Sequence, residues 1–176
     1  MNKIIFPLGI LSGLVLLSAV IGPALILEDA QTGAENLGYG IMLLASAGAV
    51  VAMILISRKY PETKFGQLVK AGVLTAAIGV GIFFIGNIVF YTIIEPDYLV
   101  KANEKFVVEN LAKISDETQK AAYSERMENQ KATYTNPFIY SGIMSVTMFM
   151  ICLMPVAVCG YALFRIGNLR KNKSKK

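Results

Sequence analysis

Apolar positions gather into four long runs, Ile4 to Leu27, Leu37 to Ile56, Val69 to Ile94 and Phe138 to Phe164, none with an ionisable residue in its middle. A hydrocarbon core about 30 Å thick needs roughly 20 residues of helix rising about 1.5 Å each. All four runs meet that requirement. Their apolar residues are continuous rather than alternating, and a backbone in lipid must satisfy its own polar groups, so helices are predicted over closed-barrel strands. The first run exceeds the roughly 7–15 residues of a signal-peptide core and is followed by no small-x-small cleavage pattern, so it is read as a retained span.

The segment from Glu95 to Asn136 breaks this pattern, because it is polar and long enough to form structure of its own. Val100, Val107, Leu111 and Ile114 recur at helical spacing, with Leu99 and Phe106 beside them, and Glu109 precedes Lys113 by one turn. An amphipathic helix is predicted there. Ser115 and Asp116 then interrupt it, and Asp116 with Gln119 has the spacing of a helix-capping pair. A second, more exposed helix follows, with Tyr123, Met127 and Tyr134 on one stripe. Antiparallel helices of about 16 residues would project roughly 24 Å. Asn136 and Pro137 restart the chain as cap and first residue of the last span.

The predicted fold is thus all-α: four transmembrane helices with an extramembrane helical hairpin between the third and fourth. Residues 1–94 hold the first three spans, 95–136 the polar helical segment, 137–165 the last span and 166–176 a basic tail.

Charge supplies the orientation, since Lys and Arg favour the cytoplasmic side. Lys3 precedes the first span, Arg58, Lys59, Lys64 and Lys70 lie between the second and third, and Arg165, Arg170, Lys171, Lys173, Lys175 and Lys176 follow the fourth. Between the first two spans stand Glu28, Asp29 and Glu35 with no basic residue. Both termini are therefore expected to be cytoplasmic and the 95–136 segment to face outward. The net charge of +5 then divides into +10 inside and −5 outside. In a soluble chain a basic balance would suggest nucleic acid. Here attraction to anionic lipid, about 1 kcal/mol per residue, accounts for it, and the bilayer is the predicted partner.

The candidate chemistry is sparse. Ionisable groups at mid-membrane mark proton relays and ion paths, and the spans have none. Lys70 lies close enough to one end to reach the headgroups. Asn87 is a polar group well inside the third span, where an unpaired amide is costly, and Ser141, Ser145 and Thr147 on the fourth are its candidate partners. Packing is the first reading of that set, substrate contact the second. Gly9 and Gly13, Ala45 and Ala49, and Gly72 and Ala76 place small residues one turn apart, which permits close helix approach within the bundle or onto a membrane partner or second copy. Pro155 removes a hydrogen bond inside the last span, and a kink is expected there. Cys152 and Cys159 are two turns apart, about 10.5 Å, too far to bridge. There is no histidine, no CxxC, no phosphate loop and no GxSxG, so no metal site, cofactor or catalytic residue is predicted.

Phe65-Gly66-Gln67-Leu68-Val69-Lys70-Ala71-Gly72 at the start of the third span, Glu95-Pro96-Asp97-Tyr98-Leu99 at its end, the charged helical segment and Asn136-Pro137-Phe138 resemble, in order and spacing, a family of small Bacteroidota membrane proteins known as domain-of-unknown-function family number 4199. The resemblance covers essentially the whole chain. It implies a four-helix inner-membrane protein with a periplasmic outer segment, and the surroundings of the family's genes imply a link to envelope glycosyl transfer. It brings no catalytic residues. Tetraspanins share the arrangement of loops, but the outer segment here lacks the cysteines that staple theirs.

Three functions are compatible with this reading. The leading one is a non-enzymatic scaffold or accessory subunit of an envelope complex. The first alternative is a small oligomeric transporter or channel lined by Asn87, Ser141, Ser145 and Thr147. The second is a lipid or lipid-linked sugar enzyme, or its accessory subunit, using Glu95 and Asp97.

Overall fold

The computed structural model describes residues 1–26 and 46–173, and among them every regular element is helical. These elements are α1 (Asn2–Ile26), α2 (46–59), α3 (Phe65–Val89), a π-helical turn (Phe90–Ile94), α4 (Tyr98–Lys113), α5 (Glu117–Thr135) and α6 (Pro137–Lys173). Asn2–Ala19, Phe65–Ile94 and Pro137–Gly167 are long and apolar enough to cross a membrane. They correspond to the first, third and fourth expected spans. Of the second, residues 37–45 lie outside the described residues, while 46–56 are helical.

Local chemistry sets the boundaries. Pro61 stops α2, because a residue before proline avoids the helical region, and the turn closes with Thr63 N–H donating to the Tyr60 carbonyl at 3.0 Å. Lys64 N–H donates to Gln67 Oε1 at 3.0 Å, which caps the start of α3. Asp116 Oδ1 accepts from Gln119 N–H at 2.8 Å and opens α5. At the start of α6, Asn136 Oδ1 accepts from the N–H groups of Phe138 at 2.9 Å and Ile139 at 3.2 Å, and Pro137 lacks the donor that would otherwise be orphaned. From there α6 runs unbroken through Pro155 to Lys173, beyond the expected end of the span at Phe164.

The chain divides into two compact units, Met1–Phe83 with Ser145–Lys176, and Phe84–Met144. In the first unit, Ala49 and Met53 of α2 meet Ala76 of α3 and Cys152 and Val156 of α6. Alongside, Ile5 of α1 packs with Ile56, Leu68 and Ala71. Lipid tails are as apolar as these side chains, so burial alone gives little driving force, and close packing must hold the helices. Glycines make that approach possible. A methyl on Gly13 would lie 2.7 Å from the Gly79 carbonyl oxygen, and one on Gly72 would meet the sulfur of Met53 and the side chain of Val156.

The second unit contains the polar helices. α4 and α5 pack against one another, with Leu99 and Met127 as their buried residues. The side of α4 turned inward differs from the expected stripe. Val107, Leu111 and Ile114 are half-buried, but Val100 and Phe106 are exposed. Leu99 and Asn103 take their place, so the buried face is rotated away from Val100. The ion pair also shifts: Glu109 pairs with Lys105, one turn earlier, at 4.0 Å.

Candidate functional site

A group of polar and aromatic side chains lies where α3 ends and α6 begins, within the second unit. At Phe90 the helix widens to π geometry, and Glu95 N–H donates to the Phe90 carbonyl, five residues back, at 2.8 Å. Such turns are rare and occur often at functional positions. The wider turn buries two consecutive aromatic residues, Phe90 and Tyr91, at 0% and 2% exposure. Tyr98, from the first turn of α4, stacks on Tyr91 with centroids 5.7 Å apart and planes at 28°. Tyr140, from the first turn of α6, meets Tyr91 edge-on at 5.7 Å, and Phe90 meets Tyr98 edge-on at the same distance. Burial raises the pKa of the Tyr98 phenol above its ordinary value.

One turn before Tyr91 on α3 is Asn87, buried at 1% exposure, whose Oδ1 has no hydrogen-bond donor. Next to Tyr140 on α6 is Ser141, fully buried, whose Oγ is likewise without a partner. Each unsatisfied group costs about 1–3 kcal/mol in an apolar surrounding. The hydrogen bond expected between Asn87 and the Ser141 hydroxyl is therefore not made. Ser145 Oγ, in the first unit, is also buried and without a partner. The cluster offers hydrogen-bond acceptors and aromatic faces.

The remaining sequence candidates occupy other places. Gly9 and Gly13 face α3, where added methyls would meet Ile78 and Ile82. Ala49 and Ala76 lie together in the core of the first unit, and Gly72 lies against Met53 and Val156. Ala45 lies outside the described residues, as do the side chains of Arg170 and Lys171. Arg58, Lys59, Lys64 and Lys70 are exposed. Among the described residues no group of three His, Cys, Asp or Glu side chains comes together. The aromatic cluster was absent from the sequence candidates. Its signal was the set of tyrosines at span ends, the usual place of interfacial aromatic residues.

No curated protein and no solved structure matches the chain. The model of the family described as Protein of unknown function (DUF4199) matches residues 7–163, from α1 into the last part of α6, and the chain belongs to that family.

Proposed function

We propose that the protein is a non-enzymatic scaffold or accessory subunit of an envelope complex in a bacterial inner membrane. In this reading there are four spans, residues 37–56 forming the second, with both termini in the cytoplasm. α4 and α5 form an antiparallel hairpin on the periplasmic side. The observation that carries the reading is on α4, beyond the end of the α3 span: Phe106 and Val108 are 48% and 65% exposed among charged neighbours. Two residues apart, they stand about 200° apart around the helix, and each is a separate apolar anchor beside charged residues on which a protein partner can pack. Gly9 and Gly13 of α1 and Gly72 and Gly79 of α3, by contrast, are used within the first unit.

The test is purification of the tagged protein from its native membrane in mild detergent, with mass spectrometry of what stays bound and light scattering for the mass. A stoichiometric partner, lost on Phe106→Ser with Val108→Ser, is the expected result. A homo-oligomer without companion would refute it. A second reading, a small oligomeric transporter or channel, draws support from one observation, the buried Oδ1 of Asn87 and Oγ of Ser141 without partners.

A further inference from the structure

α4 and α5 do not close completely against one another. Between them, wholly within the second unit, lies a pocket of about 190 Å³. Its apolar lining is Val107 and Val108 of α4 and Met127 of α5. Met127 is 7% exposed and Val108 is 65% exposed, so this lining runs from the interior of the helix pair out to its surface. The spacing accounts for the groove. Glu104, Val107 and Val108 recur three and four residues apart on α4, as Ser124, Met127, Glu128 and Lys131 do on α5, so each set shares one helix face. Small-ligand pockets run from about 300 Å³ upward. The size suits one long side chain of a partner and not a free metabolite.

The polar rim decides which side chain. Glu128 pairs with Lys131 at 3.8 Å, and both line the pocket, so their charges offset one another. Glu104 lines it too, is exposed and, among the described residues, has no ion pair. The groove therefore carries one uncompensated negative charge. Residues 84–144 together hold eight acidic and six basic side chains, so the field of the whole unit has the same sign. Asn103 and Ser124 add side-chain oxygens that can accept further hydrogen bonds. The complementary group is a cation with several N–H donors on an apolar stem. Arginine meets all three conditions: its planar guanidinium presents five donors in a fork that matches a carboxylate, and its stem packs along apolar surface. Lysine offers a point charge without the fork.

We propose that this groove seats an arginine side chain of a protein partner, its guanidinium on the Glu104 carboxylate and its stem along Val107, Val108 and Met127. The proposal rests on the scaffold reading for the existence of that partner, and it names the chemistry the partner brings to the Val108 side of α4. An ion pair at so open a site adds little by itself. A partner that covers the groove excludes water and strengthens the pair.

The test has two arms. In the first, N-acetyl-arginine amide is titrated into the full chain in mild detergent while nuclear magnetic resonance follows the Met127 methyl, assigned with Met127→Leu. A saturable shift with a Kd on the order of millimolar is expected, weakened about fivefold or more by Glu104→Gln. N-acetyl-citrulline amide, of similar shape but uncharged, gives no such shift. Glu125→Gln, which removes an exposed carboxylate outside the pocket lining, leaves the titration unchanged. In the second arm, a photo-crosslinking amino acid replaces Ala112, one turn beyond Val108 on the same face of α4. The protein adduct formed in cells falls about tenfold in Glu104→Gln, and an arginine lies in the crosslinked segment of the partner. Equal shifts from the arginine and citrulline probes, or a titration indifferent to Glu104→Gln, would overturn the proposal. A protein adduct that survives Glu104→Gln undiminished would overturn it and leave the scaffold reading standing. Arginine-specific binding of the probe with no protein adduct in cells would overturn the partner and the scaffold reading together. Circular dichroism of each variant checks that the helices persist.

Discussion

The ring of Tyr91, in the π-helical turn that ends α3, meets the ring of Tyr140, in the first turn of α6, with planes at 83° and centroids 5.7 Å apart. Tyr91 also contacts Phe90 and Tyr98, so one ring joins three chain segments of the second unit. Tyr91→Ala leaves a cavity at a residue only 2% exposed. A loss of about 3–5 kcal/mol is expected from aromatic truncations of this kind. Tyr91→Phe keeps all three ring contacts and should unfold close to the wild type. Thermal or denaturant unfolding in mild detergent reads both.

Gly13 tests the approach of α1 to α3. A side chain there meets the backbone oxygen of Gly79, which cannot move aside as a side-chain tip can. Gly13→Val should destabilise by about 1–3 kcal/mol or more through overpacking. Gly81, with open space where a Cβ would lie, is the control, and Gly81→Ala should be neutral or stabilising by up to about 1 kcal/mol through helix propensity. Equal losses at the two sites would show that the close approach is unimportant.

Asn87→Leu separates the two functional readings. It removes a buried acceptor that has no donor and replaces it with an apolar group of similar size, a change that can be neutral or stabilising. The scaffold account expects an unfolding midpoint equal to or above that of the wild type, with no solute flux in proteoliposomes for either protein. Flux in the wild type that disappears in a folded Asn87→Leu variant would favour the transporter.

Tyr98 provides a pH dependence. Burial raises its folded-state pKa above the value of about 10 in the unfolded chain. The native state therefore holds this proton more tightly, and the stability it contributes is fully present below about pH 10. That stability falls as the pH rises from there through the folded pKa. Unfolding midpoints measured between pH 8 and 11 on wild type and Tyr98→Phe should differ by a constant amount up to about pH 10. Above it the wild type should fall faster than the variant. Parallel curves throughout would mean that the phenol titrates alike in both states.

Features that depend on one or two neighbouring residues were readable in the chain. Asp116 and Asn136 cap their helices because each places a side-chain oxygen within reach of N–H groups two or three residues on. Over their described residues the first, third and fourth apolar runs are helical, as expected where lipid permits little else. Features set by longer-range packing were not readable. Nothing in Phe90-Tyr91-Thr92-Ile93-Ile94 announces a π turn, which is established by burying Phe90 and Tyr91 together. The face of α4 was misplaced for a related reason. Leu99 and Val100 are both apolar, and contact decides which is buried. Asn87 could be recognised as a costly group, but whether a donor reaches it depends on the distance between helices.

The central claim, that α4 presents a protein-binding surface outside the membrane, is tested most directly by a photo-crosslinking amino acid at position 108 in cells, with position 154 as the comparison. Val108 is 65% exposed on α4 and Met154 is 74% exposed within the α6 span. The account predicts one discrete protein adduct from position 108, reduced by Phe106→Ser, and mainly lipid adducts from position 154. Lipid adducts from both positions, with no protein adduct at 108, would contradict it.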